Sequence, residues 1–180
     1  VFNVVPGTGP EVGEPIGRHM GVDAGSFPGG TETGRRFLRY AAESNLKEVT
    51  LEMGGKNPAV VLDDAENLDR VAAHIVNGAF WNMGENCSAS SRLIVQKGVK
   101  DDLIKRIVAH AREWPMGDPL DPVNRVGALV SKAHFDKVCG YLEKGPKVIL
   151  GGSADKGFVE PTILDVPRDA RQAREEIFGP

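Results

Sequence analysis

The stretch VDAGSFPGGTETGRRFLRYAAESNLKEVTLEM, residues 22–53, decides the fold of this chain. It begins with a short, weak strand at Val22–Phe27, passes through a glycine-rich turn, and continues as a helix over Glu32–Ala42 whose apolar residues share one face. A second strand follows at Lys47–Met53. This order is typical of two parallel strands joined by a helical crossover. The stretch therefore predicts an α/β protein with an open parallel sheet.

The same alternation of strands and helices continues outward in both directions. The predicted strands are Val1–Val5, Ala59–Leu62, Arg92–Gln96, Lys147–Leu150 and Pro161–Val166, and the predicted helices are Glu11–His19, Asp101–Glu113 and a segment within Val126–Leu142. The clearest helix covers Leu68–Phe80, where apolar residues recur at helical spacing. Asn67 before it is a suitable N-cap. We expect this helix to pack against the core and to hold in place the loop that follows it, which contains Cys87.

Composition excludes several classes of protein. The chain has 180 residues, of which 41% are hydrophobic and 26% charged, as in a soluble globular protein. A formal net charge of -3 gives no reason to expect nucleic acid or an anionic membrane as partner. No apolar stretch is long enough to span a bilayer. The histidines and cysteines lack the spacing of metal ligands, so no metal is expected.

The two cysteines and the first residues bear on location and completeness. Two cysteines cannot form a disulfide framework, which fits a reducing compartment and predicts a cytoplasmic location. Residues 1–6 lack the basic start and long apolar core of a signal peptide. Because the chain opens abruptly on a predicted buried strand, we expect it to be truncated.

Cys87 and Glu52 are the candidate chemical groups. Cys87 lies in FWNMGENCSASSR, residues 80–92, and a thiolate can attack a carbonyl and hold it covalently. Glu52 lies in LEMGGKNP, residues 51–58, at the end of a predicted strand and before a glycine turn. Its carboxylate can draw a proton from the water that later frees the product. Taken alone, the glutamate is a solvated loop residue and the cysteine a small core residue, which is how we interpret Cys139.

Two glycine-rich turns are candidate phosphate sites. In Gly7–Gly13 the third glycine of a dinucleotide fingerprint comes one residue late, so this segment is better interpreted as a tight strand-to-helix turn. Phe27–Gly34 (FPGGTETG) is better placed, because it opens a helix whose N-terminal N–H groups attract a pyrophosphate. With a nucleophile and a base, this turn indicates oxidation of an aldehyde through a thioester.

Four motifs resemble those of the NAD(P)-dependent aldehyde dehydrogenases, and the resemblance spans nearly the whole chain. LEMGGKNP resembles the family's Leu-Glu-x-Gly-Gly-Lys-x-Pro, and GENCSASSR resembles Gly-x-x-Cys-x-Ala-x-Ser-Arg. FPGGTETG resembles the cofactor turn Phe-x-Gly-Ser-Thr-x-x-Gly, and residues 175–180 resemble Glu-Glu-Ile-Phe-Gly-Pro. The resemblance implies an enzyme in which residues 1–53 are part of a parallel-sheet dinucleotide-binding domain and residues 54–180 part of an α/β catalytic domain.

The resemblance also implies roles for individual residues. Cys87 would be the nucleophile and Glu52 the base that activates the hydrolytic water. NAD or NADP would bind at the glycine turn, and the substrate would be an aldehyde. The full-length enzyme would form homo-oligomers. The residues implied in cofactor binding are Gly29, Gly30, Gly34, Glu176 at the nicotinamide-side ribose, and Phe178 near the ring. The oxyanion would be held by the Cys87 N–H and by an asparagine from an earlier segment.

The chain departs from the family pattern in several places. Gly30 replaces a serine that faces the phosphate, Pro28 lacks a backbone donor, and Gly25 weakens the preceding strand. The stretch Tyr141–Val148 is shorter than usual, and family members are more than twice as long. Because the oxyanion asparagine is not among these residues, we expect the 180 residues alone to be inactive; robust aldehyde oxidation by them would refute this.

Other functions stay open from the sequence. An acylating relative would pass the thioester to coenzyme A, although it would not need Glu52. A cysteine hydrolase would need a histidine beside Cys87; the chain offers His19, His74, His110 and His134. A non-catalytic binding or structural fragment is a third interpretation. The run Met83–Cys87, with Glu85 before the thiol, resembles that of family members that oxidise amino- or guanidino-aldehydes from polyamine breakdown.

Overall fold

The structure is a computed structural model that describes residues 1–143 and 145–180. The chain forms two compact units, Val1–Gly54 and Gly55–Pro180. The predicted domain limit after Met53 lies one residue from this division. What each part does as a domain stays a prediction.

The first unit contains the parallel strand pair that residues 22–53 predict. A π-helical turn, Gly9–Gly13, leads into α1 (Glu14–Arg18), which is followed by β1 (Ala24–Gly29), α2 (Thr31–Ala42) and β2 (Glu48–Met53). Strands β1 and β2 are parallel, in a register that runs from Ala24 opposite Glu48 to Gly29 opposite Met53. The carboxyl ends of the two strands therefore lie side by side.

Aromatic stacking and one buried lysine hold the first unit together. The rings of Phe27 on β1 and Phe37 on α2 stack with centroids 4.8 Å apart, which packs the helix on the sheet. Lys47 is buried, and its Nζ donates to the Gly17 carbonyl at 2.7 Å and to Ser44 Oγ at 2.8 Å. These bonds compensate the desolvation of the ammonium group and join α1 to the end of α2.

The predicted strand at Val1–Val5 is wrong. Residues 1–8 have no regular structure, and the side chains of Val1, Phe2, Val4 and Val5 are exposed. A run of apolar residues indicates only a tendency to form a strand. The strand itself forms when its N–H and C=O groups pair with a neighbouring strand. In the described part of the first unit, β1 and β2 pair only with each other.

The second unit, in its described residues, has four short helices and three strand pairs. Its elements are β3 (Pro58–Val61), α3 (Leu68–Phe80), a 3₁₀ turn (Trp81–Gly84), β4 (Arg92–Val95), α4 (Lys100–Ala111), α5 (Lys132–Leu142), β5 (Lys147–Leu150), β6 (Ala154–Asp155), β7 (Phe158–Val159), β8 (Ile163–Asp165) and α6 (Arg171–Arg174). Strands β3 and β4 are parallel, whereas the pairs β5–β8 and β6–β7 are antiparallel. The predicted α/β class is confirmed.

Helices α3 and α4 form the core of the second unit. Val76 and Phe80 of α3 pack with Leu103 and Ile107 of α4, and all four side chains are buried. Asn67 caps α3 as predicted, because its side chain accepts a hydrogen bond from Arg70 N at 3.1 Å. The core therefore fixes the end of α3, from which the Cys87 loop departs.

Three sequence predictions concern absences or a gap. Lys144, within the stretch Tyr141–Val148 that is expected to be short, lies outside the described residues. Across residues 1–143 and 145–180, no helix has the length and apolar character needed to cross a membrane. Within the same ranges, no cluster of three or more His, Cys, Asp or Glu side chains could hold a metal ion.

Candidate active site

Cys87 is exposed on a loop that polar side chains fix in place. Asn57 Nδ2 donates to the Cys87 carbonyl at 2.6 Å and contacts the Ala89 carbonyl at 3.5 Å. Asn86 Oδ1 accepts from Ser88 N at 3.1 Å and lies 3.9 Å from Cys87 Sγ. These contacts fix the loop backbone, while Cys87 itself is exposed. An exposed cysteine on a fixed loop suits the attack of a thiolate on a carbonyl carbon.

The turn before Cys87 has an unusual backbone. Asn82, Met83 and Gly84 have φ values of 52°, 55° and 67°, in the left-handed region that non-glycine residues rarely adopt. At Gly84 a side chain is also excluded by contact, because a Cβ atom there would overlap the carbonyl oxygen of Gly179. The turn therefore brings the Cys87 loop against the C-terminal segment.

Replacing Gly84 by alanine is expected to lower the free energy of unfolding by about 1–3 kcal/mol, because the new Cβ meets both the left-handed φ and the Gly179 carbonyl. Urea denaturation measures the change. Gly140→Ala is the matched control, since it lies in α5 with no atom within 4 Å of the added Cβ, and it should be neutral or stabilising. Equal stability of the two variants would contradict this account of the turn.

The C-terminal segment carries two of the predicted cofactor residues. Glu176 Oε1 accepts a hydrogen bond from Gly55 N at 3.2 Å. This bond joins the C-terminal segment to the LEMGGKNP motif, residues 51–58. Phe178 has a φ of 63°, and its carbonyl oxygen lies 2.5 Å from His134 Nε2. The second unit therefore places Glu176, Phe178 and the Cys87 loop along one connected network, although their roles toward a cofactor stay predictions.

Lys56 and Arg92 are two further candidate residues, which the sequence patterns did not single out. Arg92 Nη2 donates to the Lys56 carbonyl at 3.1 Å and Nη1 to the Ala173 carbonyl at 3.3 Å. Lys56 Nζ is buried and has no hydrogen-bond partner within the described residues. Burial, and then the charge of Arg92, lower the pKa of Lys56 to about 8, while Glu176 acts in the opposite direction. Their only signal in the sequence was membership of the motifs that contain Glu52 and Cys87.

The first unit places Glu52 beside the glycine turn. Glu52 is exposed in β2 and lies opposite Pro28 of β1, so its carboxylate and the turn share one edge of the sheet. Helix α2 starts at Thr31 with Gly30 as N-cap, and no side chain caps it. The N–H groups of its first turn lack partners within the helix and fit a phosphate group.

The three predicted cofactor glycines differ in their surroundings. A Cβ at Gly30 would meet no atom within 4 Å, whereas one at Gly29 would lie 2.6 Å from the Phe27 ring. Gly34 is buried, and a Cβ there would lie 2.5 Å from Met53 Sδ. Gly34 therefore permits α2 to approach β2 closely, and Gly30 is the glycine that stands open to a ligand.

The hydrolase alternative finds no support in the second unit. His74 Nε2 contacts Arg70 at 3.5 Å, His110 Nε2 contacts Asp69 at 3.1 Å, and His134 contacts the Phe178 carbonyl. In the described part of this unit, the hydrogen-bond contact of Cys87 Sγ is with Asn86. Glu52 and Cys87 belong to different units, so their pairing stays a prediction.

Comparison with known proteins identifies the family. The model of the aldehyde dehydrogenase family matches residues 1–180. An aminoacetaldehyde dehydrogenase of Pseudomonas aeruginosa is 64% identical over 186 aligned positions, which cover 100% of this chain and 38% of that protein. The aldehyde dehydrogenase family 2 member C4 of Arabidopsis thaliana is 44% identical over 100% of this chain and 37% of its own length.

Solved structures agree with the sequence comparison. The γ-glutamyl-γ-aminobutyraldehyde dehydrogenase of Burkholderia cenocepacia superposes with a TM-score of 0.96 at 46% identity, over 100% of this chain and 38% of that one. An indole-3-acetaldehyde dehydrogenase in complex with NAD+ superposes with a TM-score of 0.95 at 39% identity, over 99% and 38%. The chain thus spans less than two-fifths of the length of these relatives. Because the family model covers every residue, the chain belongs to the aldehyde dehydrogenase family.

Proposed function

We propose that the protein oxidises an aldehyde to a carboxylic acid with NAD or NADP, through a thioester on Cys87. The observation that carries the proposal is the position of the family's motif cysteine. Cys87 is exposed on a loop that follows the packed helix α3 and that Asn57 and Asn86 fix. A nucleophile needs this combination of access and restraint, because its sulfur must approach the carbonyl carbon in one orientation.

The reaction begins at the sulfur. The Cys87 thiolate adds to the aldehyde carbon, and the carbonyl oxygen becomes an oxyanion that the Cys87 N–H stabilises. When bound, the nicotinamide cofactor supplies the hydride acceptor that turns the tetrahedral adduct into a thioester. Glu52 then removes a proton from water, the hydroxide attacks the thioester carbon, and the carbon–sulfur bond breaks to release the acid and the Cys87 thiolate.

The residues proposed to hold the cofactor fit it chemically. The uncapped first turn of α2, with Gly29 and Gly30 before it, suits a pyrophosphate, and Gly34 keeps α2 close to the sheet. Glu176 has a carboxylate that can accept hydrogen bonds from ribose hydroxyls, and Phe178 presents an apolar ring. A structural neighbour crystallised with NAD+ supports this assignment.

We infer that the substrate is a small amino-aldehyde. The support is the 64% identity to a protein named aminoacetaldehyde dehydrogenase and the likeness to a γ-glutamyl-γ-aminobutyraldehyde dehydrogenase. Steady-state kinetics of the full-length protein with aminoacetaldehyde, aminobutyraldehyde, acetaldehyde and indole-3-acetaldehyde, each with NAD and NADP, test the assignment. A higher kcat/KM for either amino-aldehyde is expected; a preference for acetaldehyde or the indole would contradict it.

The product distinguishes hydrolysis from the acylating alternative. We expect free carboxylic acid whether or not coenzyme A is present, because Glu52 supplies a hydrolytic base. Chromatography of the reaction products measures the ratio of acid to acyl-CoA. Formation of acyl-CoA as the main product would overturn the hydrolytic step and leave the thioester in place.

We further propose that the protein works in the cytoplasm as a homo-oligomer. The location rests on the small number of cysteines, and the assembly rests on the family resemblance. Light scattering of the purified full-length protein determines the assembly, and a monomeric mass would contradict it.

Replacing Gly30 by serine is expected to strengthen cofactor binding by about tenfold, because a hydrogen bond to a charged group contributes about 1.5 kcal/mol or more. Gly30 has φ −72° and ψ 141° with open space at its Cβ, so the backbone accepts a side chain without strain. Isothermal titration calorimetry with NAD measures the change. The control is Gly25→Ser in β1, which also has open space and precedes the turn. Unchanged affinity in the Gly30 variant would argue against a phosphate at this turn.

A further inference from the structure

Glu85 connects the nucleophile loop to helix α5. It stands two residues before Cys87, yet only 9% of its side chain is exposed, whereas Cys87 is an exposed residue. Its Oε1 accepts a hydrogen bond from Val130 N at 3.1 Å and lies 3.4 Å from His134 Nε2. A buried carboxylate with these partners interacts with the protein interior and not with solvent.

His134 connects the same carboxylate to the C-terminal segment. Its Nε2 lies 2.5 Å from the Phe178 carbonyl oxygen, and its ring meets the Phe178 ring edge to face with centroids 5.9 Å apart. Both oxygens near Nε2, the Phe178 carbonyl and the Glu85 carboxylate, are acceptors, so the tautomer with a hydrogen on Nε2 is the one that fits these contacts. The backbone of His134 is anchored as well, because its N–H donates to Ser131 Oγ at 3.2 Å at the start of α5.

These contacts form one continuous series from the Cys87 loop, through Glu85 and His134, to Phe178. Three consecutive left-handed residues precede Glu85, and Phe178 is left-handed too, so both segments depend on contacts with the rest of the unit to keep these conformations. The imidazole of His134 is the group that both segments share. Its removal would take away the one side chain that contacts both the carboxylate of Glu85 and the carbonyl of Phe178 in the described residues.

We propose that His134 and Glu85 are positioning residues that fix the Cys87 loop relative to residues 176–178. The inference rests on the proposed function, in which Cys87 carries the substrate carbon and Glu176 and Phe178 hold the nicotinamide end of the cofactor. Hydride transfer requires that these two parts keep one separation, and a misplacement of about 1 Å in such geometry slows a reaction on the order of 10²-fold.

The kinetic test uses single turnovers of the full-length protein. His134→Ala is expected to slow hydride transfer by about 10- to 100-fold, and His134→Gln, whose amide retains a donor near the Nε2 position, is expected to recover most of the rate. The Glu85→Ala/His134→Ala double variant should be no slower than the worse single variant, because both changes break one connection. His110→Ala is the matched control, since His110 is a histidine of the same unit whose ring pairs with Asp69 of α3.

The second test does not require activity. Hydrogen–deuterium exchange should rise together in residues 82–89 and 176–179 of His134→Ala, and in neither segment of His110→Ala. Faster exchange in one segment alone, or hydride transfer in His134→Ala within twofold of the His110 control, would overturn the proposal. If Cys87→Ser remained an active dehydrogenase while exchange still rose in both segments of His134→Ala, the positioning role of His134 and Glu85 would be supported. The proposed function would then be wrong.

Discussion

Replacement of Cys87 by serine is expected to abolish aldehyde oxidation, with kcat/KM falling on the order of 10⁴-fold or more, as when a covalent nucleophile is removed elsewhere. Serine keeps the size of the side chain, but its hydroxyl is a far weaker nucleophile than a thiolate at neutral pH. The exposed position of Cys87 means that the substitution should leave the fold intact. Reduction of NAD in the presence of an amino-aldehyde measures the loss in the full-length protein.

Cys139 provides the control for this experiment. It lies in α5, partly buried, and burial together with the charge of Asp136 raises the pKa of its thiol. A smaller fraction of Cys139 is therefore thiolate than of a cysteine with the ordinary pKa. Cys139→Ser should retain activity within a few-fold of the parent. Activity that survives in Cys87→Ser but disappears in Cys139→Ser would reverse the assignment of the nucleophile.

Replacement of Glu52 by glutamine is expected to separate the two halves of the reaction. Steady-state release of acid should fall by about 10²- to 10⁴-fold, because the carboxylate that activates water is lost. The first turnover should survive, because hydride transfer precedes hydrolysis. Rapid mixing with aldehyde and NAD should therefore show a burst of reduced cofactor, equal in amount to the enzyme, and almost no later turnover.

Glu48 is a matched control for Glu52. It lies in the same strand, β2, on the same exposed face, and differs in its distance from the glycine turn. Glu48→Gln should leave both the burst and the steady state unchanged. If Glu52→Gln lost the burst as well, the glutamate would act before hydride transfer and the proposed sequence of steps would be wrong.

The elements with the strongest local patterns were predictable. The strand–helix–strand unit over residues 22–53 and the capped helix Leu68–Phe80 appear within a few residues of their predicted limits. The two helices of these segments have apolar residues at helical spacing, and the weaker strand at Val22–Phe27 was recognisable from its place before the glycine turn. The short hairpin of β6 and β7 was not predicted, since two-residue strands carry no periodic pattern. The strand at Val1–Val5 failed because pairing depends on a neighbour and not on composition.

The candidate site was predictable only where a motif exposes it. Cys87 and Glu52 followed from residue type, order and resemblance. The side chains that hold the loop could not be found this way, because Asn57 is 30 residues from Cys87 and Val130 is 45 residues from Glu85. Contacts over such separations come from packing of whole elements, which single-residue patterns do not encode. The left-handed turn at Asn82 and Met83 was likewise hidden, since neither residue demands that conformation.

Mass spectrometry of the acyl-enzyme tests the central claim most directly. The Glu52→Gln protein would be mixed with an amino-aldehyde and NAD, quenched in acid and digested. We predict that the peptide containing Cys87 gains the mass of the acyl group, in an amount that matches the burst, and gains nothing when NAD is omitted. Acid release in the parent with no acyl group on Cys87 in this variant, or an acyl group on another residue, would contradict the thioester account.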